Sequence, residues 1–248
     1  MSKVLVVGDS CTDVFVYGKV ERLSPEAPVP VINPTHQTEN GGMSKNVISN
    51  LKSLGCDTQL ISNLNSIKKV RYVDERSNQM VLRVDENDSC DRISLDDLNY
   101  ISQFSDEYDA VIISDYCKGF LEEEDIQYIC KKCDNVFVDT KKQLGEWILE
   151  ADYIKINEFE HKKNFERIPN YPSMVNKLII TQGKKGCTFK DKMFPTEEVP
   201  IKDVSGAGDT FLAGLVYEYM KTKNIEKSIK FAQKCTTKVV QKHGVSTI

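Results

Sequence analysis

The 248-residue chain contains 40% hydrophobic residues, a length and composition that suit one large α/β domain with at most a small appendage. Its formal net charge of −4 excludes a general electrostatic attraction to nucleic acid, although a local basic pocket could still bind a small anion. No apolar run approaches the length of a membrane span. The run at residues 4–7 that follows Met1-Ser2-Lys3 is too short, and too soon followed by Asp9, to be a signal peptide, so we expect a cytoplasmic protein with neither nucleic-acid nor membrane partners.

Short apolar runs alternate with helical patterns along the chain. The apolar spacing of residues 44–54 predicts a helix that ends at Gly55. Runs of buried-strand character lie at residues 4–7, 60–61, 110–113, 136–138, 153–156 and 178–180. This alternation predicts a parallel sheet covered by helices on both faces.

Two segments interrupt this rhythm. Residues 14–34 and 67–85 alternate apolar and polar side chains, which favours a small exposed sheet over a buried one. We interpret them as a lid beside the main domain.

The eight cysteines are expected to be reduced thiols, because no secretory signal accompanies them. Cys130 and Cys133 have the spacing of metal ligands. No second cysteine pair or nearby histidine completes a zinc site in the sequence, so we interpret them as helix-borne thiols.

The segment Ser205-Gly206-Ala207-Gly208-Asp209 precedes an apolar helical stripe that includes Phe211 and Tyr219. Two glycines at a helix start leave consecutive backbone N–H groups bare, and the helix dipole adds partial positive charge. The pattern therefore predicts an anion hole formed by the N–H groups of Ala207, Gly208 and Asp209. The Asp209 carboxylate would face a hydroxyl beside the bound phosphate.

Four further motifs occur in a fixed order along the chain: Gly8-Asp9-Ser10-Cys11-Thr12-Asp13, Gly41-Gly42 followed by Asn46, Asn157 followed by Glu160, and Thr181-Gln182-Gly183 followed by Gly186. Together with the glycine-rich helix start, they resemble the signature motifs of the ribokinase-like (PfkB) carbohydrate kinases. The resemblance implies a three-layer α/β/α sandwich with a mainly parallel central sheet and a small β lid, as one domain over residues 1–248.

The resemblance also implies a role for each motif, with ATP and Mg²⁺ as cofactors and a homodimer formed through the lid. It leaves open whether a monovalent cation assists. Asp209 would be the catalytic base beside the Gly206–Gly208 anion hole, and Glu160 would hold Mg²⁺ through water. Sugar binding is implied for Asp13, Gly41, Gly42 and Asn46, and nucleotide binding for Asn157, Glu160, Thr181, Gly183 and Gly186.

Within this family, four segments resemble the bacterial heptose 7-phosphate kinases: residues 22–31, 82–85, 114–119 and 138–141. The implied acceptor is heptose 7-phosphate, phosphorylated at C1. A phosphate on the acceptor needs cations at the far end of the pocket from Asp209. Arg83 and Lys118 lie inside these segments and are the main candidates, with Arg22, Arg71 and Lys141 as further ones.

The chain departs from the family pattern after Asn63, where a strand, a turn and a helix are expected and only Leu64-Asn65-Ser66 precede Ile67. This puts the wall on the substrate side in question. When the chain is aligned with the heptose branch backwards from Leu82 without gaps, Arg71 falls where that branch has a lysine. Val73 falls where it has an arginine. No nucleotidyltransferase domain follows Ile248, so a stand-alone kinase is expected.

Three other functions compete with this interpretation of the sequence. The acceptor could be a different sugar or a nucleoside, as in fructokinase-like and ribokinase-like enzymes. The chain could also be a catalytically weak regulator that binds a sugar or nucleotide, which the missing unit after Asn63 would explain. A Rossmann oxidoreductase is disfavoured, because no Gly-x-Gly-x-x-Gly follows the first strand.

Overall fold

The strands and helices follow one another as the sequence pattern predicts, in a computed structural model that describes residues 2–242, 244 and 246–248. The strands are β1 Lys3–Gly8, β2 Ser10–Leu23, β3 Pro30–Met43, β4 Asp57–Ile61, β5 Ile67–Asp74, β6 Met80–Glu86, β7 Ala110–Asp115, β8 Val136–Thr140, β9 Tyr153–Asn157, β10 Leu178–Thr181, β11 Cys187–Phe189 and β12 Lys192–Phe194. The helices are α1 Ser44–Ser53, α2 Leu95–Gln103, α3 Glu123–Lys132, α4 Glu158–Asn164, α5 Pro172–Val175, α6 Ala207–Thr222 and α7 Ile225–Val239.

The larger sheet has the strand order β12-β11-β10-β9-β8-β7-β1-β4. The strands from β10 to β4 are parallel, and β11 and β12 add an antiparallel edge. Side chains of β1 alternate between two apolar cores, with Leu5 and Val7 on the face of α3 and Val4 and Val6 on the face of α1 and α6. The predicted three-layer α/β/α sandwich is confirmed.

Strand β4 lies at the edge of this sheet, and within the described part of the chain it pairs with β1 alone. The chain then passes directly into β5 through a short connection. Buried Asn63 fixes that connection, because its side chain accepts a hydrogen bond from the Ser10 N–H at 2.7 Å and donates to the Asn65 carbonyl at 2.7 Å.

The second sheet is the lid, with the order β3-β2-β5-β6. The predicted lid segments 14–34 and 67–85 are made of these strands and the connections at residues 24–29 and 75–79, but β2 starts earlier, at Ser10, and β3 continues to Met43. Residues 35–40 are polar and mostly exposed, so their composition carries no strand signal. Pairing with β2, from Pro34 opposite Gly18 to Met43 opposite Ser10, is what makes them a strand.

No helix in the described ranges combines the length and apolar composition that crossing a bilayer requires.

Candidate active site

Helix α6 begins at the predicted glycine-rich segment. Gly206, the residue before the helix, has φ 77°, a left-handed conformation that glycine adopts without strain. One prediction needs correction: the N–H of Ala207 is not bare, because it donates to the Val204 carbonyl at 3.1 Å. The N–H groups of Gly208 and Asp209 have no acceptor among the residues that the structure describes. They form the anion-binding end of the helix.

The Asp209 carboxylate is buried in this first turn, with 4% of the residue exposed. Its Oδ1 accepts a hydrogen bond from the Tyr116 hydroxyl at 2.6 Å, and its Oδ2 accepts one from Asn46 Nδ2 at 2.9 Å. Burial raises the pKa of Asp209 above its ordinary value, while the hydrogen bonds from Tyr116 and Asn46 oppose that rise. The carboxylate is thus oriented and poised to accept a proton.

Asn46 lies on α1, 2% exposed, and α1 packs against α6. Its own amide oxygen accepts a hydrogen bond from Asn50 Nδ2 at 3.2 Å, which fixes the orientation of the Asn46 side chain. The helix face that carries Asn46 therefore turns towards Asp209 and not towards solvent.

A buried ion pair lies beneath the helix start. Lys155 Nζ of β9 is 2.6 Å from Asp139 Oδ2 of β8. A Cβ on Gly208 would lie 3.0 Å from Lys155 Nζ, so a larger residue there would push the ammonium away from the anion-binding N–H groups. The sequence analysis did not single out Lys155; the available signal was a lysine inside an otherwise apolar strand.

The predicted sugar-binding residues meet where the lid joins α1. Gly42 faces the Asp13 carboxylate so closely that a Cβ there would lie 2.2 Å from Asp13 Oδ2. A Cβ on Gly41 would lie 2.7 Å from the Cβ of Lys45. Asp13 is buried and forms an ion pair with Arg71 at 2.6 Å. Glycine at both positions thus gives Asp13 and α1 room to approach.

Cross-strand pairing puts charged residues in rows on one face of the lid. Asp13, Lys69 and Asp85 form one row across β2, β5 and β6. The next row contains Arg71 beside Arg83, about 6.6 Å further along the strands. This second row borders a cavity of about 350 Å³ whose opposite wall is the loop before α6; the lining residues are Phe15, Tyr17, Arg71, Val73, Asn78, Met80, Arg83, Lys202, Asp203, Ser205 and Gly244.

Lys69 is a functional candidate that the sequence analysis missed. It is 8% exposed, and its Nζ has neither a hydrogen-bond acceptor nor a carboxylate partner within the described ranges. Its Nζ lies 5.4 Å from the centre of the Tyr116 ring. Burial lowers the pKa of Lys69. Asp13 and Asp85 flank Lys69 in its row, but neither carboxylate lies at ion-pair distance from its Nζ, so an anionic ligand would stabilise the buried ammonium.

The cations that the sequence predicts for the acceptor phosphate differ in their position relative to this cavity and in their carboxylate partners. Arg83 forms two hydrogen bonds with Asp85, at 2.6 and 2.7 Å. Lys118 is paired with Asp88 at 2.5 Å, and Lys118 does not line the cavity. Arg22 is exposed near the far end of β2. Arg71 and Arg83 are therefore the two predicted cations that the fold brings together.

The nucleotide motifs gather on the other side of the α6 start. Asn157 caps α4, since its side chain accepts from the Glu160 N–H at 2.9 Å and its own N–H donates to Glu160 at 2.7 Å. The other oxygen of Glu160 is 3.0 Å from Lys141 Nζ. A cavity of about 120 Å³ is lined by Thr181, Gly183, Gly186, Thr196, Ala207, Gly208, Phe211, Gln233 and Thr236. It unites Thr181, Gly183 and Gly186 with the anion-binding turn, whereas Asn157 and Glu160 do not line it.

These residues fit a magnesium ion that arrives with a nucleotide. The described part of the chain contains no cluster of three or more histidine, cysteine, aspartate or glutamate side chains that could cage a metal. Glu160 is a single carboxylate already engaged by an N–H and by Lys141, which suits contact through water. Mg²⁺ commonly keeps several waters and binds through one or two carboxylates plus substrate phosphates.

Comparison with known proteins agrees with this geometry. The family model "pfkB family carbohydrate kinase" matches residues 66–248. The "Bifunctional protein HldE" of a Nitratiruptor species is 32% identical over 292 positions, covering 99% of this chain and 63% of the relative. The protein of the same name from Campylobacter fetus is 32% identical, covering 98% of this chain and 64% of the relative.

The chain thus spans under two thirds of the length of these relatives. Because 99% of this chain is about 246 residues, about 46 of the 292 aligned positions have no counterpart here. That is enough for the strand, turn and helix expected after Asn63.

Solved structures show the same fold at low identity. A ribokinase from Thermotoga maritima has a TM-score of 0.70 at 19% identity, covering 99% of this chain and 95% of the other. Phosphofructokinase-2 from Escherichia coli has a TM-score of 0.75 at 12% identity, covering 99% and 94%. From the family match, the HldE relatives and the geometry around Asp209, we conclude that the chain belongs to the pfkB family of carbohydrate kinases.

Proposed function

We propose that this chain is an ATP-dependent sugar kinase whose acceptor already carries a phosphate, with heptose 7-phosphate, phosphorylated at C1, as the first candidate. The observation that carries the proposal is Lys69, a buried ammonium with no carboxylate at ion-pair distance among the described residues. The relatives named HldE, which are bifunctional heptose kinase/adenylyltransferases, support the heptose as the sugar.

Asp209 acts as the base in this proposal. The acceptor hydroxyl donates its proton to the Asp209 carboxylate as its oxygen attacks the γ-phosphorus of ATP, and the bond from that phosphorus to the bridging oxygen breaks to release ADP. Phosphoryl transfer asks the protein mainly for alignment and for stabilisation of charge. The N–H groups of Gly208 and Asp209 face the charge that develops, and Lys155 supplies a cation beside them.

The nucleotide side organises the phosphates of ATP. Bound Mg²⁺ would neutralise negative charge on those phosphates, held through water by Glu160 with Asn157 beside it. Lys141 Nζ lies 3.0 Å from Glu160 and holds that carboxylate in place. The nucleotide itself would bind against Thr181, Gly183 and Gly186, which line the adjoining cavity.

The acceptor would lie along the rows of the lid face. Asp13 and Asn46 would bind sugar hydroxyls near Asp209. The acceptor phosphate would lie further out, against Lys69, Arg71 and Arg83. Arg71 uses one terminal nitrogen for Asp13, and a guanidinium has further donors with which to bind a phosphate. A neutral sugar would leave the charge of Lys69 without a partner.

Replacing Asp209 by asparagine tests the assignment of the base. Turnover should fall by about 10²–10⁴, the usual contribution of a general base, while ATP binding stays intact. ATP binding would be followed as a thermal shift with and without MgATP. Retention of more than about a tenth of the wild-type rate would show that Asp209 is not the base.

A further inference from the structure

Tyr116 covers the oxygen of Asp209 that an acceptor would need. Asp209 Oδ2 is bound from the protein interior by Asn46, which is 2% exposed. Asp209 Oδ1 accepts its hydrogen bond from the half-buried Tyr116 hydroxyl at 2.6 Å. A sugar hydroxyl would donate to the same carboxylate with the same O–H···O⁻ geometry. Because only 4% of Asp209 is exposed, the Tyr116 hydroxyl and the sugar hydroxyl would compete for the same hydrogen bond to Asp209 Oδ1.

The backbone that carries Tyr116 is fixed by a buried carboxylate. Asp9 accepts hydrogen bonds from the N–H groups of Tyr116 at 2.6 Å, Lys118 at 3.2 Å and Phe120 at 3.3 Å. Asp9 is 1% exposed, so these bonds are shielded from water. The loop therefore holds the start of the tyrosine side chain in place, and movement of the hydroxyl requires rotation of the ring.

The ring of Tyr116 is contacted from both substrate sides. Lys69 Nζ, on the lid, lies 5.4 Å from the ring centre, and Lys141 Nζ, which is paired with Glu160, lies 4.6 Å from it. Both ammonium groups attract the ring face. An anion that draws either lysine towards itself weakens the hold on the ring. Substrate binding is thereby linked to release of the Tyr116 hydroxyl.

We propose that Tyr116 is a placeholder for the acceptor: in the absence of sugar, its hydroxyl occupies Asp209 and keeps water from the base. This inference rests on the assignment of Asp209 as the base. The suppressed reaction is hydrolysis, in which a water oxygen attacks the γ-phosphorus of ATP, the bond from that phosphorus to the bridging oxygen of ADP breaks, and the water proton passes to Asp209. ADP and inorganic phosphate are the products.

Hydrolysis of MgATP without any sugar tests the placeholder. Tyr116→Phe keeps the ring and leaves room for a water at Asp209, so hydrolysis should rise about tenfold, the lower range for loss of a hydrogen bond to a charged group. Tyr116→Met repeats the test with a different apolar side chain, should the phenylalanine variant fail to fold. The matched control is Tyr100→Phe, which removes a half-buried hydroxyl bound to Gln59 and should leave hydrolysis unchanged.

If Tyr116 had only a structural role, its replacement would leave ATP hydrolysis unchanged or slow it. Either result in folded Tyr116 variants would overturn the inference. The double variant Tyr116→Phe with Asp209→Asn separates it from the proposed function. If the double variant no longer shows the faster hydrolysis of Tyr116→Phe, both Asp209 as the base and Tyr116 as its placeholder are supported. If hydrolysis stays fast without the Asp209 carboxylate, Asp209 is not the base and Tyr116 is not its placeholder.

Discussion

Replacement of Lys69 by methionine should stabilise the fold and weaken acceptor binding at the same time. Lys69 is 8% exposed, and no carboxylate pairs with it in the part of the chain that the structure describes. Methionine has a similar length and no charge to bury. Since apolar replacement of buried charged groups can gain about 1–4 kcal/mol, we expect the free energy of unfolding to rise by about 1–2 kcal/mol.

The same substitution removes a charge-assisted contact to the acceptor phosphate. Such a contact contributes about 1.5–3 kcal/mol, so KM for the sugar phosphate should rise by at least about tenfold, with KM for ATP nearly unchanged. Burial lowers the pKa of Lys69, so the unfolded chain binds more protons than the folded one between the two pKa values. Wild-type stability should therefore rise with pH in that range, and the advantage of the variant should shrink.

Urea unfolding and steady-state kinetics measure the two effects. The control is Lys68→Met, which makes the same chemical change at the neighbouring exposed position of β5. It should change stability by less than about 0.5 kcal/mol and leave both KM values unchanged. If Lys69→Met destabilised the protein and left the acceptor KM as it is, Lys69 would be a structural residue and the reasoning would fail.

Two further predictions concern the base and the lid. Asn46→Ala removes a hydrogen bond that lowers the pKa of Asp209, so the acid limb of kcat/KM should move to higher pH; a pH–rate profile with an unmoved limb would contradict this. The lid face opposite the cavity exposes Leu82 and Val84, 55% and 37% exposed, so we expect a homodimer by light scattering at micromolar concentration. Leu82→Asp should shift it to monomer, and a monomeric wild type would count against the lid interface.

The sequence predicts the sheet and the helix start well because each has a local cause. The runs of the central sheet are apolar on both faces, and the Gly206–Asp209 segment carries its conformational requirement in its own glycines. The second half of β3 has no such cause, because its polar residues become a strand only through pairing with β2. The helix-start pattern does not reveal the partner of the Ala207 N–H, because the Val204 carbonyl that accepts its hydrogen bond belongs to the preceding turn.

The side chains that complete the site depend on tertiary pairing. Lys69 appears in sequence as one of two adjacent lysines, and only the strand alternation of β5 buries one of them and exposes the other. In the sequence, Lys155 is a single charged residue in an apolar strand. Only the fold shows that it forms an ion pair with Asp139 on the neighbouring strand. Tyr116 donates a hydrogen bond to Asp209 although the two residues are 93 positions apart in the sequence. Neither spacing nor composition encodes such contacts.

The comparison of kcat/KM for heptose 7-phosphate with kcat/KM for unphosphorylated heptose, fructose and ribose tests the central claim most directly. A lost charge-assisted contact to the phosphate corresponds to a preference of at least about tenfold for the phosphorylated sugar, and the proposed cation row predicts that preference. A higher kcat/KM for any of the neutral sugars would contradict the phosphate-binding role of Lys69, Arg71 and Arg83 and would make the chain a kinase of neutral sugars.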